Sequence, residues 1–121
     1  MKRILIAEDN DDFRTVLLHF LNRYEYEVIA AKNEEIFYLL VDAFTPDLVI
    51  LDVMLHDADG RKICREVKKI NKDIKAILIS GSSELLKDYE SYGADLAFEK
   101  PIVFSEFIAM IAVLTRNTAS Q

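Results

Sequence analysis

The sequence has a single cysteine, Cys64, in 121 residues. No internal disulfide can form, so a small scaffold held together by disulfides is excluded. Glycine (three) and proline (two) are scarce and tryptophan is absent, which excludes collagen-like, low-complexity and linker-rich chains. No apolar run approaches the length of a membrane span, and Ile4-Leu5-Ile6-Ala7 stops at Glu8-Asp9, too soon for a signal peptide. Positive charge is also short: 15 Lys and Arg against 21 Asp and Glu leave a formal charge of -6, so neither direct nucleic-acid binding nor membrane binding is expected. A lone thiol suits the reducing cytoplasm, the expected location. What the chain does have is 51% hydrophobic residues. At this length folding hides roughly two-thirds of the unfolded surface, enough for one core.

Three continuous apolar runs, Ile4–Ala7, Leu48–Leu51 and Ala76–Ile79, have strand length and no alternation, as strands covered on both faces require. Val28–Ala31 and Leu96–Phe98 are weaker candidates for strands nearer the sheet edges. Between these lie helical spacings. The first helix shows Phe13, Val16, Leu17, Phe20, Leu21 and Tyr24, with Asp11 or Asp12 as its cap. The second shows Ile36, Leu39, Leu40, Ala43 and Phe44 after an Asn33 cap, and Ile63, Val67 and Ile70 mark the third. Ser83 to Tyr92 is the weakest, anchored only by Leu85, Leu86, Tyr89 and Tyr92. Phe104, Phe107, Ile108, Ile111 and Leu114 mark the last. Alternating strands and helices predict a doubly wound α/β fold, a parallel five-stranded sheet between helical layers. A single domain over residues 1–116 is expected, with 117–121 as a polar tail or truncated linker.

Ligands of such sheets bind at the carboxyl ends of the strands. There the sequence places Glu8-Asp9, Asp52, Ser80-Gly81 and Lys100-Pro101. Acids gathered at a low-dielectric edge repel one another and call for a cation. Magnesium suits them, since it takes oxygen ligands and accepts carboxylates together with a phosphate. A carboxylate beside such a cation and Lys100 can act as the nucleophile toward a phosphoryl group, with Ser80 supplying a hydrogen bond.

These residues resemble a known family. Glu8-Asp9, then Leu51-Asp52-Val53-Met54-Leu55 with Asp59-Gly60, then Ile79-Ser80-Gly81, Gly93-Ala94-Asp95 and Lys100-Pro101 follow the pattern of a response regulator receiver domain over essentially the whole chain. The resemblance implies the flavodoxin-like strand order 2-1-3-4-5 with five helices in three layers. Asp52 would accept a phosphoryl group from a sensor histidine kinase or histidine phosphotransferase. Mg2+ would lie on Asp9, Asp52 and the Met54 main-chain carbonyl, with Glu8 helping through water. Ser80 and Lys100 would contact phosphoryl oxygens, and Lys100-Pro101 would be cis. The face of the fourth helix, fifth strand and fifth helix would serve an output domain or effector, and the resemblance allows a weak homodimer. The chain would be no enzyme beyond catalysing its own phosphorylation and dephosphorylation.

Three positions depart from the family pattern. Ala97 stands where receivers usually carry Tyr or Phe, and Phe98 should point to the opposite sheet face. His56 replaces a frequent proline, and Ser80 a commoner threonine. The missing aromatic favours an alternative, a receiver-fold interaction module that works without phosphorylation; the intact set Glu8, Asp9, Asp52, Ser80 and Lys100 favours phosphorylation. A flavodoxin-like FMN site is excluded by the acidic first loop. An EF-hand is excluded by Phe13 and Arg61 at ligand positions. Among the remaining polar and reactive residues, His19 is read as solvent-facing, Cys64 as core, and Tyr89 and Tyr92 as packing residues.

Overall fold

The computed structural model describes residues 1–116, and the tail expected at 117–121 lies outside the described residues. Five parallel strands, β1 (Arg3–Ala7), β2 (Glu27–Ala31), β3 (Leu48–Asp52), β4 (Lys75–Ser80) and β5 (Leu96–Glu99), form one sheet in the order β2-β1-β3-β4-β5. Five helices alternate with them: α1 (Asp11–Asn22), α2 (Glu34–Phe44), α3 (Gly60–Ile70), α4 (Ser83–Leu86) and α5 (Phe104–Arg116). The two weaker strand candidates are the edge strands, as expected.

The unbroken apolar runs follow from burial on both faces. Leu5, Ala7, Val49, Leu51, Ala76 and Leu78 enter one core with Phe37, Val41, Ile63, Cys64 and Val67 from α2 and α3. Their alternate neighbours Ile4, Ile6, Leu48, Ile50, Ile77 and Ile79 enter the other with Leu17, Leu21, Phe107 and Ile111 from α1 and α5. Ala97 belongs to the first face and Phe98 to the second, where its ring meets Phe107 edge-on at 5.1 Å. Burial pushes the Cys64 thiol up to about 11, as its core position requires.

Several local expectations change. The cap of α1 is Asn10, whose side chain accepts the Phe13 N–H, while Asp11 and Asp12 lie inside the first turn. Asn33 caps α2 as read, but the stripe is differently phased: Phe37 and Val41 are buried, whereas Leu39 is 66% exposed. A residue two places from the buried centre turns about 200° around the helix and meets water. Val16 and Ile70 are likewise exposed, at 48% and 60%, and Tyr24 lies beyond α1. The weak fourth segment is one turn of α4. Lys87 then extends, Asp88 turns left-handed at φ 59°, and a single 3-10 turn spans Tyr89–Tyr92. Between β3 and α3, a short antiparallel hairpin pairs Met54 with Asp59 and Leu55 with Ala58. It turns through Asp57 at φ 61°, a conformation aspartate tolerates.

Candidate functional site

The pairing of Ala7 with Leu51 brings the ends of β1 and β3 side by side, so Glu8 and Asp52 emerge together. Both are buried, at 1% and 4% exposure. Ser80 pairs with Glu99 across β4 and β5, and the next amide, Lys100 N–H, donates to Ser80 O at 2.8 Å, which aims the lysine back over the sheet edge. The Lys100–Pro101 peptide is cis. Lys100 Nζ reaches Asp52 Oδ2 at 2.6 Å and Glu8 Oε1 at 3.2 Å. Three of the expected site residues therefore meet in one ion-paired cluster.

Its electrostatics follow from burial. Glu8 is pushed up to about 7, first by burial and then by the adjacent Asp52 carboxyl, against the Asn10 N–H and the Lys100 charge. For Lys100, burial pulls downward, but the hydrogen bond and charge of Asp52, joined by Glu8, outweigh it and raise the ammonium above its usual value. A charged lysine thus faces two acids that resist sharing one site.

The other expected residues are placed near the cluster but turned elsewhere. Asp9 Oδ2 accepts the His56 N–H at 2.8 Å, tying the first loop to the hairpin. The Met54 N–H donates to Asp52 Oδ1 at 2.9 Å, which fixes the carboxylate. Ser80 is fully buried, and its Oγ accepts the Ser82 N–H at 3.1 Å. Beside it, a Cβ built on Gly81 would meet nothing within 4 Å, so the approach is open. The His56 and Asp57 side chains form an exposed pair at 3.1 Å.

Three further residues take roles at the site that the sequence reading did not assign them. Gly60 is one: a Cβ there would lie 2.1 Å from Asp52 O, so only glycine lets α3 start against the backbone of β3. Its N–H donates to Val53 O at 2.8 Å. Asn10 is another, donating its N–H to Glu8 Oε2 at 3.0 Å while capping α1. The third is Phe13, whose ring centroid lies 4.5 Å from Lys100 Nζ.

Glu8, Asp9 and Asp52 set three carboxylates against the single ammonium of Lys100, all with oxygen donors. This excess of negative charge with hard ligands fits a magnesium ion and not a thiol- or imidazole-seeking metal. As they stand, no three His, Cys, Asp or Glu side chains among the described residues are gathered closely enough to hold an ion. Lys100 engages Asp52 Oδ2 and the His56 amide engages Asp9 Oδ2, so a cation at this edge would compete with these two contacts.

A family model, the response regulator receiver domain, matches residues 4–112. The chain belongs to this family. The receiver is 32% identical over 119 residues to a probable transcriptional regulator, ycf27, of Cyanophora paradoxa, covering 97% of this chain and 49% of that protein. It is 31% identical over 116 residues to the transcriptional regulatory protein YxdJ of Bacillus subtilis, covering 92% and 49%. The receiver thus spans about half the length of these relatives. Among solved structures, the response regulator TrrA of Thermotoga maritima, in complex with Mg2+-BeF, superposes with a TM-score of 0.82 at 34% identity, covering 94% of this chain and 99% of that one. A signal receiver domain of a DNA-binding response regulator from Colwellia psychrerythraea gives 0.90 at 28% identity, covering 97% and 100%. No helix among the described residues is long and apolar enough to cross a membrane.

Proposed function

We propose that Asp52 accepts a phosphoryl group from a phosphohistidine of a sensor histidine kinase or histidine phosphotransferase, and that the modified receiver switches an output surface. The observation that carries this reading is the buried Asp52 carboxylate held 2.6 Å from Lys100 at the open end of the sheet. In the transfer, an Asp52 oxygen forms the new P–O bond while the donor's P–N bond breaks, giving an acyl phosphate and a free donor imidazole. Lys100 exchanges its carboxylate contact for a phosphoryl oxygen and neutralises it. Asp9, Asp52 and the Met54 carbonyl would hold Mg2+, with Glu8 helping through water, and the ion would supply positive charge against the phosphoryl oxygens. TrrA's complex with Mg2+-BeF supports this assignment.

Ser80 Oγ keeps accepting the Ser82 N–H while its O–H turns to donate a hydrogen bond to a phosphoryl oxygen, drawing the start of α4 inward. With Ala97 in place of an aromatic, the change is carried by residues 80–84 and reaches the surface of α4, β5 and α5, where an output domain or effector binds. Outside this self-modification and its reversal the domain turns over no substrate. It works in the cytoplasm and makes no direct contact with nucleic acid.

The test is intact mass after incubation with magnesium and acetyl phosphate. A phosphate-sized gain in the wild type, absent with chelator and absent in Asp52→Ala, supports the assignment. No gain, with acetyl phosphate or with phosphorylated kinases, makes the phosphorylation-independent interaction module the better reading.

A further inference from the structure

We infer that Phe13 is a positioning residue for phosphoryl transfer, its ring face holding the Lys100 ammonium over the Glu8 and Asp52 carboxylates. This inference rests on the functional reading above and extends it to a residue whose helical spacing alone assigns it to core packing. Lysine ends in a flexible stem with a compact charge, and its hydrogen bonds to Asp52 and Glu8 loosen when a cation or phosphoryl group engages those carboxylates. The ring, 4.5 Å from Nζ, supplies a contact that is not an anion. An ammonium over an aromatic face is attracted by the ring quadrupole, most strongly where water is excluded. The contact persists when the anions are drawn to another partner.

The ring is itself held by the site. Glu8 Oε2 accepts the Asn10 N–H at 3.0 Å, Asn10 Oδ1 accepts the Phe13 N–H at 2.8 Å, Phe13 carries the Lys100 ammonium, and that ammonium returns to Glu8 Oε1 at 3.2 Å. The circuit closes on itself. Phe13 also packs on the core face formed by α1 and α5, which sets the height of its ring. The residue that caps α1 therefore also sets the aromatic beneath the lysine, so the helix start and the reaction site are one construction.

The experiment compares the wild type, Phe13→Leu, which keeps an apolar side chain without the ring face, and proteins carrying progressively fluorinated phenylalanines at position 13, which keep the shape and weaken the quadrupole. Two readouts are taken: the rate of phosphorylation by acetyl phosphate with magnesium, and the side-chain resonances of Lys100 in isotope-labelled, metal-free protein. Loss of the π face should slow phosphorylation about three- to tenfold, stepwise with fluorination. In the metal-free wild type the Lys100 ε-methylene protons should lie upfield of the other lysines through ring-current shielding, and in Phe13→Leu they should move downfield. Equal rates across the fluorinated series, or Lys100 resonances indifferent to Phe13→Leu in a folded protein, overturn the inference. A wild type that gains no phosphate overturns the functional reading instead, and the Lys100 resonances then decide whether the ring holds the ammonium.

Discussion

The strand-end site and the segment from Ser82 to Tyr92 lie next to each other and are built in opposite ways. Glu8, Asp52 and Lys100 leave strands that are paired on both sides or tied across the edge, and each carries at least two hydrogen bonds. The Ser82–Tyr92 segment has one helical turn, capped at 3.4 Å by Ser82, then a break at Lys87 and Asp88 and a single 3-10 turn. Its only buried side chain is Leu86, at 9% exposure. The Ser80 hydroxyl joins the two regions through the Ser82 N–H. A fixed chemical site is thus coupled to an element with little packing energy to resist displacement, a division that suits a switch.

Several changes would break or sharpen this contrast. The largest effect is expected from Asp52→Asn, which should abolish phosphorylation measured by intact mass while leaving the circular dichroism spectrum unchanged. Gly60→Ala comes next. Its Cβ would be forced against the backbone of Asp52 and Val53, with no flexible side chain to yield, and should cost about 3 kcal/mol or more in denaturant unfolding. Truncating each region in turn compares their packing directly. Ile50→Ala, from a fully buried central strand, should cost about 3 kcal/mol, and Leu86→Ala about 2 kcal/mol. In native-state hydrogen exchange, amides of residues 87–93 should exchange well before those of β3.

The smallest effect concerns the start of α3. Asp59 caps this helix, accepting the Arg61 N–H at 2.9 Å, and the Arg61 guanidinium hydrogen-bonded to it holds its carboxyl below the ordinary value of 3.8. A folded-state value below the unfolded one means stability that is fully present above the ordinary value and is lost as pH falls through the lowered one. Asp59→Ala should therefore cost about 1 kcal/mol at neutral pH. The difference in Tm from the wild type should close as the solution is acidified past the lowered value.

Much of this organisation was legible in the chain. Ile4–Ala7, Leu48–Leu51 and Ala76–Ile79 declared central strands because both faces of a parallel sheet are buried, and the acids at their ends then fell on one edge. The strand order came from the family pattern and not from periodicity. Phasing was less legible. In α2, Ile36 and Leu40 flank the buried line of Phe37 and Val41, and a run of consecutive apolar residues let Leu39 pass for a core position. Asn10 was hidden among four acidic neighbours, although its amide caps the helix that Asp11 merely begins. Gly60 stood in the family pattern and Phe13 in a helical stripe, but their roles at the site were hidden for a different reason. Their roles depend on approaches to Asp52 and Lys100, residues distant in sequence for Phe13 and set by the β3–α3 packing for Gly60.

The most direct test of the coupling between the two regions is a comparison of amide NMR spectra of the free and magnesium-phosphorylated protein. The largest shifts should fall on residues 80–84 and continue into Lys87–Tyr92, with Ala97 changing little. Large shifts around Ala97 with none at residues 80–84, or identical spectra before and after phosphorylation, would contradict it.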